Sequence, residues 1–317
     1  MPLLDSLGAI PGLRLLENAP LAVLTRFGIG GPGDLLVETT DPEAFVAALR
    51  ACRAAGVAHY VMGDGSNLIV SDQGYRGVVL RLAASKLEAQ GTHIIADAGA
   101  SLQELVDFAI AGGLAGLETL TGIPGSVGAG VYGNAGAYGH SISERVSSVE
   151  FFDGGQIRQL DNPGCRFEYR ESIFKRHKDW MILRARLDLE RGDATALGRR
   201  AAGILAERNE KFPPTMKCAG SIFKNLLVAD LPAAVAQALP SHAVREGKVA
   251  SAYFLEQVGA KGMRRGGIQV ASYHANLIYN AGGGAASELG ALIAELRQRV
   301  EARFGIRLEE EVQHLGD

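Results

Sequence analysis

The chain has 317 residues, of which 47% are hydrophobic, and a formal net charge of −3. That length points to two domains, and the apolar content supports packed cores and argues against disorder. No block of Lys or Arg runs along the chain, so nucleic acid and anionic membrane surfaces are poor expected partners. Cys52, Cys165 and Cys218 are far apart and odd in number, with no CxxC. They read as reduced thiols of a cytoplasmic protein, not a disulfide frame or a zinc site. The histidines form no HxxxH or HExxH pair, so no metal is expected. The first residues carry Asp5 and no basic residue before a short apolar stretch, which does not read as a signal peptide. The longest uncharged run, Thr119 to Ser143, is too polar and too glycine-rich for a membrane helix.

Taken in chain order, residues 17–33 read as extended and end in the glycine-rich turn Gly28 to Gly33. Leu35 to Glu38 reads as a short strand. Asp41-Pro42 supplies an N-cap and an N1 proline for a helix running to about Ala55, stopped by Gly56. Short apolar runs follow near Tyr60–Met62, Leu68–Val70, Val78–Leu80 and Ile94–Ala96. Ser101 and Glu104 form a capping box, and Leu102, Leu105, Val106 and Ala109 give the next helix one apolar face. After residues 119–143 comes a mixed strand region to about Leu189, then a helix over Thr195 to Glu210. Pro213-Pro214 is a strong breaker and an expected domain boundary. Strands are expected near 268–270 and 276–279. A long helix is expected over 287–303, with Leu289, Leu292, Ile293, Leu296 and Val300 on one face and Gly305 as its cap. A charged tail, Leu308 to Asp317, closes the chain. Strands and helices alternate without a βαβ rhythm, so the expected class is α+β with mixed sheets.

Glycine is in excess, 41 of 317 residues against a usual share of about 7%, and the excess sits in a few loops. Two stretches, Gly28 to Gly33 and Gly128 to Gly133, match GxGxxG, yet neither has the strand-before, helix-after context of a dinucleotide fingerprint. Two other loops carry more chemistry. In Gly63-Asp64-Gly65-Ser66-Asn67 the glycines expose backbone N–H groups, and Ser66 and Asn67 add side-chain donors, a combination suited to a diphosphate. Thr121-Gly122-Ile123-Pro124-Gly125-Ser126-Val127-Gly128 has the same character. Each loop alone reads more readily as a tight turn; together they favour a large phosphate-bearing cofactor.

These two loops, followed by Asn134-Ala135-Gly136-Ala137-Tyr138-Gly139, resemble the FAD-binding segments of UDP-N-acetylenolpyruvoylglucosamine reductases. Three further matches follow in order: Tyr169-Arg170-Glu171-Ser172-Ile173-Phe174-Lys175, Ala219-Gly220-Ser221-Ile222-Phe223-Lys224-Asn225, and Leu308-Glu309-Glu310-Glu311-Val312. The resemblance covers residues 20–316. The chain departs from the family habit at Gly128-Ala129-Gly130, at Gly133 and at Leu226, where Gly-Gly-Ala, Met and Pro are commoner. The short stretch between Lys175 and Lys211 is similar to the shorter, type II branch.

The resemblance implies an FAD-binding domain of the vanillyl-alcohol-oxidase (PCMH) type over residues 17–195, an α+β substrate-binding domain over 210–305, and a tail, 306–317, carrying a catalytic Glu. It implies non-covalent FAD held by Gly63, Asp64, Gly65, Ser66, Asn67, Thr121, Gly122, Pro124, Gly125, Ser126, Gly128, Asn134, Ala135 and Gly136. It implies NADPH as co-substrate and UDP-N-acetylglucosamine enolpyruvate as substrate, reduced to UDP-N-acetylmuramate for peptidoglycan. It implies that hydride passes from flavin N5 to C3 of the enolpyruvyl group and that a proton reaches C2. Ser221 matches the proton donor, Arg170 the group that stabilises the enolate, and Glu311 the acid near C2. Tyr169, Lys217, Asn225 and His274 are expected on the substrate side. A monomer is favoured.

Plainer readings stand beside these. Ser221 reads also as a turn serine, Arg170 as a surface partner of Glu168 or Glu171, Glu309 to Glu311 as a solvated tail, and His274 as a half-buried histidine. Two other functions remain open at this stage: an FAD oxidase of the same fold, which the lack of a histidine in Gly63–Asn67 disfavours, and a non-catalytic binder, which the joint presence of Ser221, Arg170 and Glu311 disfavours.

Overall fold

The computed structural model describes residues 2–316. The chain forms two compact units, both discontinuous in sequence. The first comprises residues 1–19, 33–64 and 76–213, and the second 20–32, 65–75 and 214–317.

The first unit is built on two sheets. One runs in the order Arg14–Pro20, Pro32–Thr39, Tyr75–Leu82, His59–Val61, with His59–Val61 parallel to Tyr75–Leu82. The helix Pro42–Ala54 covers a core that includes Leu35, Val37, Val78 and Leu80. Its start follows the local chemistry: the Asp41 carboxylate accepts from Glu43 N at 2.8 Å, and Pro42 sits where no N–H is needed. The second sheet is antiparallel throughout: Ile157–Asp161, Val146–Phe152, Met181–Asp188, His93–Asp97, Leu87–Gln90. The helix Leu102–Ala111 packs Leu102, Leu105, Val106 and Ala109 into its core beside Phe151 and Phe174. The Ser101–Glu104 capping box is present in both directions.

The second unit is organised by the helix Ala286–Phe304, whose Leu289, Leu292, Ile293, Leu296 and Val300 are all buried. Against it lie the antiparallel strands Arg264–Arg265, Ile268–Val270 and Ile278–Asn280. A smaller sheet joins Leu226–Leu227, Lys248–Val249 and Val244–Arg245.

Three sequence expectations change. Residues 17–33 are not uniformly extended, because Leu21–Leu24 forms a 3₁₀ turn that buries Leu21. The glycine-rich stretch 119–143 is not loop throughout, because Val127–Tyr132 forms a helix. The charged tail is not simply solvated: Gln313–Leu315 forms a parallel strand with Leu68–Val70, and Val312 and Leu315 are buried.

Helix Ala286–Phe304 begins after Ala285, which has no capping oxygen. Asp72 supplies it from far away in sequence, accepting from Ala286 N at 2.7 Å and Ser287 N at 2.9 Å. Burial pushes the Asp72 carboxyl up, but hydrogen bonds from Ser287 and Ala286 outweigh that and hold it below the ordinary carboxylate value. A depressed native pKa means the stabilisation is complete above the ordinary Asp pKa and is lost as pH falls through the native one. Asp72→Ala is therefore expected to lower stability by about 0.5–2 kcal/mol near neutrality. The difference from the parent should shrink in acid, which thermal melts across pH will check.

Candidate active site

In the first unit, Gly63 and the loop after Leu120 meet. A Cβ at Gly63 would stand 2.9 Å from Ser126 Oγ, so a side chain here would make that hydroxyl shift. Asp64 is tied down by Arg81 at 3.1 Å, and Arg81 also holds Glu38 at 3.1 Å. The next loop is pinned at several points. Gly122 N donates to Gln103 Oε1 at 2.7 Å, Leu102 N to Gly125 O, Val127 N to Ala100 O, and Gly128 N to Ala98 O, each at 2.8 Å. Gly122 and Gly125 have φ of +75° and +122°, a backbone that glycine alone adopts easily. Ser126 caps Val127–Tyr132 through Ala129 N, and Pro124 is exposed at the tip. Thr121 is buried, and its Oγ1 has no hydrogen-bond partner within the protein.

The segment Asn134-Ala135-Gly136 follows directly. Asn134 is buried with φ +43°; its Nδ2 donates to Glu168 O at 2.8 Å, and its Oδ1 accepts from Ser143 N. Ala135 is held through both backbone groups, to Gly130 O and from Ile142 N, at 2.8 Å each. The Tyr169–Lys175 stretch packs onto this segment. Arg170 has φ +58°, and its guanidinium donates to Asn134 O at 3.4 Å and Gly136 O at 3.1 Å while lying over the Tyr169 ring at 5.5 Å. Ser172 Oγ donates to Tyr132 O at 2.7 Å. The surface partners weighed for Arg170 have ion pairs of their own: Glu171 with Lys175, and Glu168 with Arg176.

In the second unit, Gly65 is buried at φ +59°, where a Cβ would collide with Leu24 O at 2.0 Å. Ser66 is half-buried. Asn67 Nδ2 donates to Glu311 O at 2.8 Å, and Gln313 N donates to Asn67 O at 3.0 Å. The tail is thereby stitched to this loop. It is also stitched to the Ser221 segment: Glu311 N donates to Ile222 O at 2.7 Å, Lys224 N to Glu309 O at 2.9 Å, and Phe223 bridges Glu310. Ser221 and Glu311 therefore sit on paired stretches of backbone. Glu309 pairs with Lys224, and Glu310 with Arg297 and His314. Gly220 precedes Ser221 with φ +81°, and Ser221 itself bridges Leu277.

Lys217 bridges Asn280, and its side chain runs past Gly28, the nearest atom 3.2 Å from where a Cβ would stand. His274 is half-buried, and its Nδ1 accepts from Asn276 N at 3.3 Å. Asn225 is exposed. Burial pushes the Cys218 thiol up, with opposing pulls from a Gly220 backbone hydrogen bond and from Arg26, which leaves little nucleophile. Among the described residues no cluster of His, Cys, Asp or Glu could hold a metal ion.

The motifs did not reveal two groups of residues. Helix Ala194–Lys211 ends against Gly122, where Arg208 Cδ stands 3.1 Å from the position a Cβ would take. Arg208 and Lys211 both lie over the Phe212 ring, at 5.6 and 5.2 Å. Two cations three apart at a helix end, just before Pro213-Pro214, are the sequence trace of this arrangement. The second is Asn276, which grips the backbone of Phe223, two residues past Ser221, through its side chain.

Residues 33–160 match the family "FAD binding domain", and residues 212–315 match "UDP-N-acetylenolpyruvoylglucosamine reductase, C-terminal domain". With the α+β fold, these define an FAD-binding flavoprotein oxidoreductase. The chain is 62% identical over 310 residues to the UDP-N-acetylenolpyruvoylglucosamine reductase of Solibacter usitatus (strain Ellin6076), covering 98% of this chain and 99% of that one. It is 36% identical over 307 residues to the reductase of the same description from Bacillus licheniformis, covering 96% and 95%. The crystal structure of UDP-N-acetylenolpyruvylglucosamine reductase (MurB) from Thermus caldophilus superposes with a TM-score of 0.74 at 29% identity, over 96% of this chain and 98% of that one. The chain belongs to the UDP-N-acetylenolpyruvoylglucosamine reductase family.

FAD is the cofactor of this class, and the first unit's loops fit it. A buried hydroxyl on Thr121 has no hydrogen-bond partner within the protein, and positive φ at Gly122 and Gly125 sets the sharp course of the loop that follows it. A hydroxyl so placed can donate to a phosphate or to a group flanking it.

Proposed function

We propose that this chain uses NADPH to reduce UDP-N-acetylglucosamine enolpyruvate to UDP-N-acetylmuramate, with FAD bound non-covalently, in the cytoplasm. The observation that carries the reading is the pairing of the tail with the Ser221 segment, Glu311 N to Ile222 O at 2.7 Å. It joins the backbone segments that carry Ser221 and Glu311, whose hydroxyl and carboxyl are the kinds of group a proton delivery uses. No helix among the described residues is long and apolar enough to cross a membrane, which fits a water-borne nucleotide-sugar substrate.

When bound, FAD supplies the hydride that ends on C3 of the enolpyruvyl group. The remaining tasks fall to side chains. Negative charge then collects at C2 and on the adjoining carboxylate, and Arg170 offers it a permanent cation with a planar fork. Its guanidinium is already oriented by the carbonyls of Asn134 and Gly136, so little reorganisation is needed. Ser221 gives its hydroxyl proton to C2, and Glu311 assists at the same carbon. A serine hydroxyl is a weak acid, so its contribution depends on placement, which the paired backbone supports. Tyr169, Lys217, Asn225 and His274 are assigned to the UDP-sugar. The cofactor is assigned to Gly63, Asp64, Gly65, Ser66, Asn67, Thr121, Gly122, Pro124, Gly125, Ser126, Gly128, Asn134, Ala135 and Gly136. Turnover in D₂O tests the protonation step: the product should carry deuterium at C2, and a product without it there contradicts this mechanism.

A further inference from the structure

The alternation of backbone hydrogen bonds along Ile222–Lys224 is complete only because of one side chain. On one side, Ile222 O and Lys224 N pair with the tail residues Glu311 and Glu309. On the other, the N–H and C=O of Phe223 point at Asn276. Asn276 Oδ1 accepts from Phe223 N at 2.9 Å, and its Nδ2 donates to Phe223 O at 2.9 Å. A carboxamide carries the same donor and acceptor as a peptide group, so it stands in for a missing strand. The second Nδ2 hydrogen goes to Ser251 Oγ at 2.7 Å, and Ser251 Oγ in turn reaches Phe223 O at 3.3 Å. Ile222 N donates to the Asn276 carbonyl at 3.1 Å. Asn276 and Ser251 are 2% and 0% exposed, so water cannot replace these bonds.

We propose that Asn276 is a positioning residue that fixes the register of the Ser221 segment, and through it the placement of Ser221 relative to Glu311. The proposal rests on the reading that those two residues act on the substrate. Asn276 touches neither substrate nor cofactor in this account. It acts by closing the far side of the segment whose near side holds the tail. A shift of about 1 Å at the reacting groups is enough to cost about 100-fold in rate.

The test uses Asn276→Asp in the flavin-loaded, full-length protein, with both half-reactions followed anaerobically from mildly acid to alkaline pH. A neutral carboxyl keeps one donor and one acceptor for Phe223, whereas an ionised one sets a second acceptor against Phe223 O. Burial extends the neutral form toward neutrality. In the sugar-dependent reoxidation, the ratio of variant to parent should therefore lie near one in acid and fall by about 100-fold in alkali. Flavin reduction by NADPH should keep a constant ratio. A pH-independent ratio, or an equal change in both half-reactions, overturns the proposal. If Asn276→Asp does not fold, Ser251→Ala carries the test: several-fold slowing of the sugar-dependent step alone supports the positioning role, and no slowing or equal slowing of both steps overturns it. Ser221→Ala, measured alongside, separates the two levels. If it leaves the sugar-dependent step intact, the reading of Ser221 fails, whatever Asn276 does.

Discussion

Replacing Ser221 with alanine is expected to slow reoxidation of the reduced flavin by the UDP-enolpyruvyl sugar by about 10²–10⁴-fold, the usual worth of a positioned proton donor. Flavin reduction by NADPH should be unchanged, because that half-reaction needs no proton at C2. The fold should also persist. Ser221 is half-buried, and its segment is held by hydrogen bonds with Asn276, Glu309 and Glu311 that alanine leaves intact. Stopped-flow absorbance on each half-reaction separates the outcomes. Equal slowing of both would mean a general disturbance of the flavin, and no slowing would remove Ser221 from the mechanism.

Arg170 carries the second large effect. Arg170→Lys keeps the charge and loses the fork, and it is expected to lower kcat by about 10²–10³-fold, or about 2.7–4 kcal/mol of transition-state stabilisation. The reason is geometric. The guanidinium holds two carbonyls, Asn134 O and Gly136 O, and lies over Tyr169. An ammonium cannot meet both and present a planar face as well. The φ of +58° at this position is costly for a side chain of this size, a form of strain that proteins concentrate at working sites. Steady-state kinetics should show the loss mainly in kcat, with KM for NADPH little changed. A loss confined to KM would instead make Arg170 a ground-state binding group.

Local chemistry made much of the fold legible. Asp41-Pro42 and the Ser101–Glu104 box state their own helix starts, and the stripe from Leu289 to Val300 marks the long helix, which runs Ala286–Phe304. Pro213-Pro214 lies where the chain passes from the first unit to the second. The excursions of residues 20–32 and 65–75 into the second unit were not legible, because they are fixed by contacts distant in sequence. Gly65 against Leu24 and Asp72 against Ala286 are two such contacts, and no periodic pattern announces them. The same holds for the tail. Three glutamates in a row look solvated, yet pairing to Asn67 and Ile222 orders them and gives Glu309 and Glu310 cationic partners. The motif residues assigned above to the cofactor are a proposal that starts from the sequence. The supports, Gln103 under Gly122, Arg81 on Asp64 and Asn276 behind Phe223, could not be named from it, since a supporting side chain has no spacing rule.

The most direct test of the central claim is the absorbance spectrum of the purified, oxygen-free protein through two additions. NADPH should bleach the flavin bands, and the UDP-enolpyruvyl sugar should then restore them without oxygen, leaving UDP-N-acetylmuramate in solution. A flavin that bleaches and stays bleached when the sugar is added would contradict the substrate assignment, and with it the roles given to Ser221, Arg170 and Glu311.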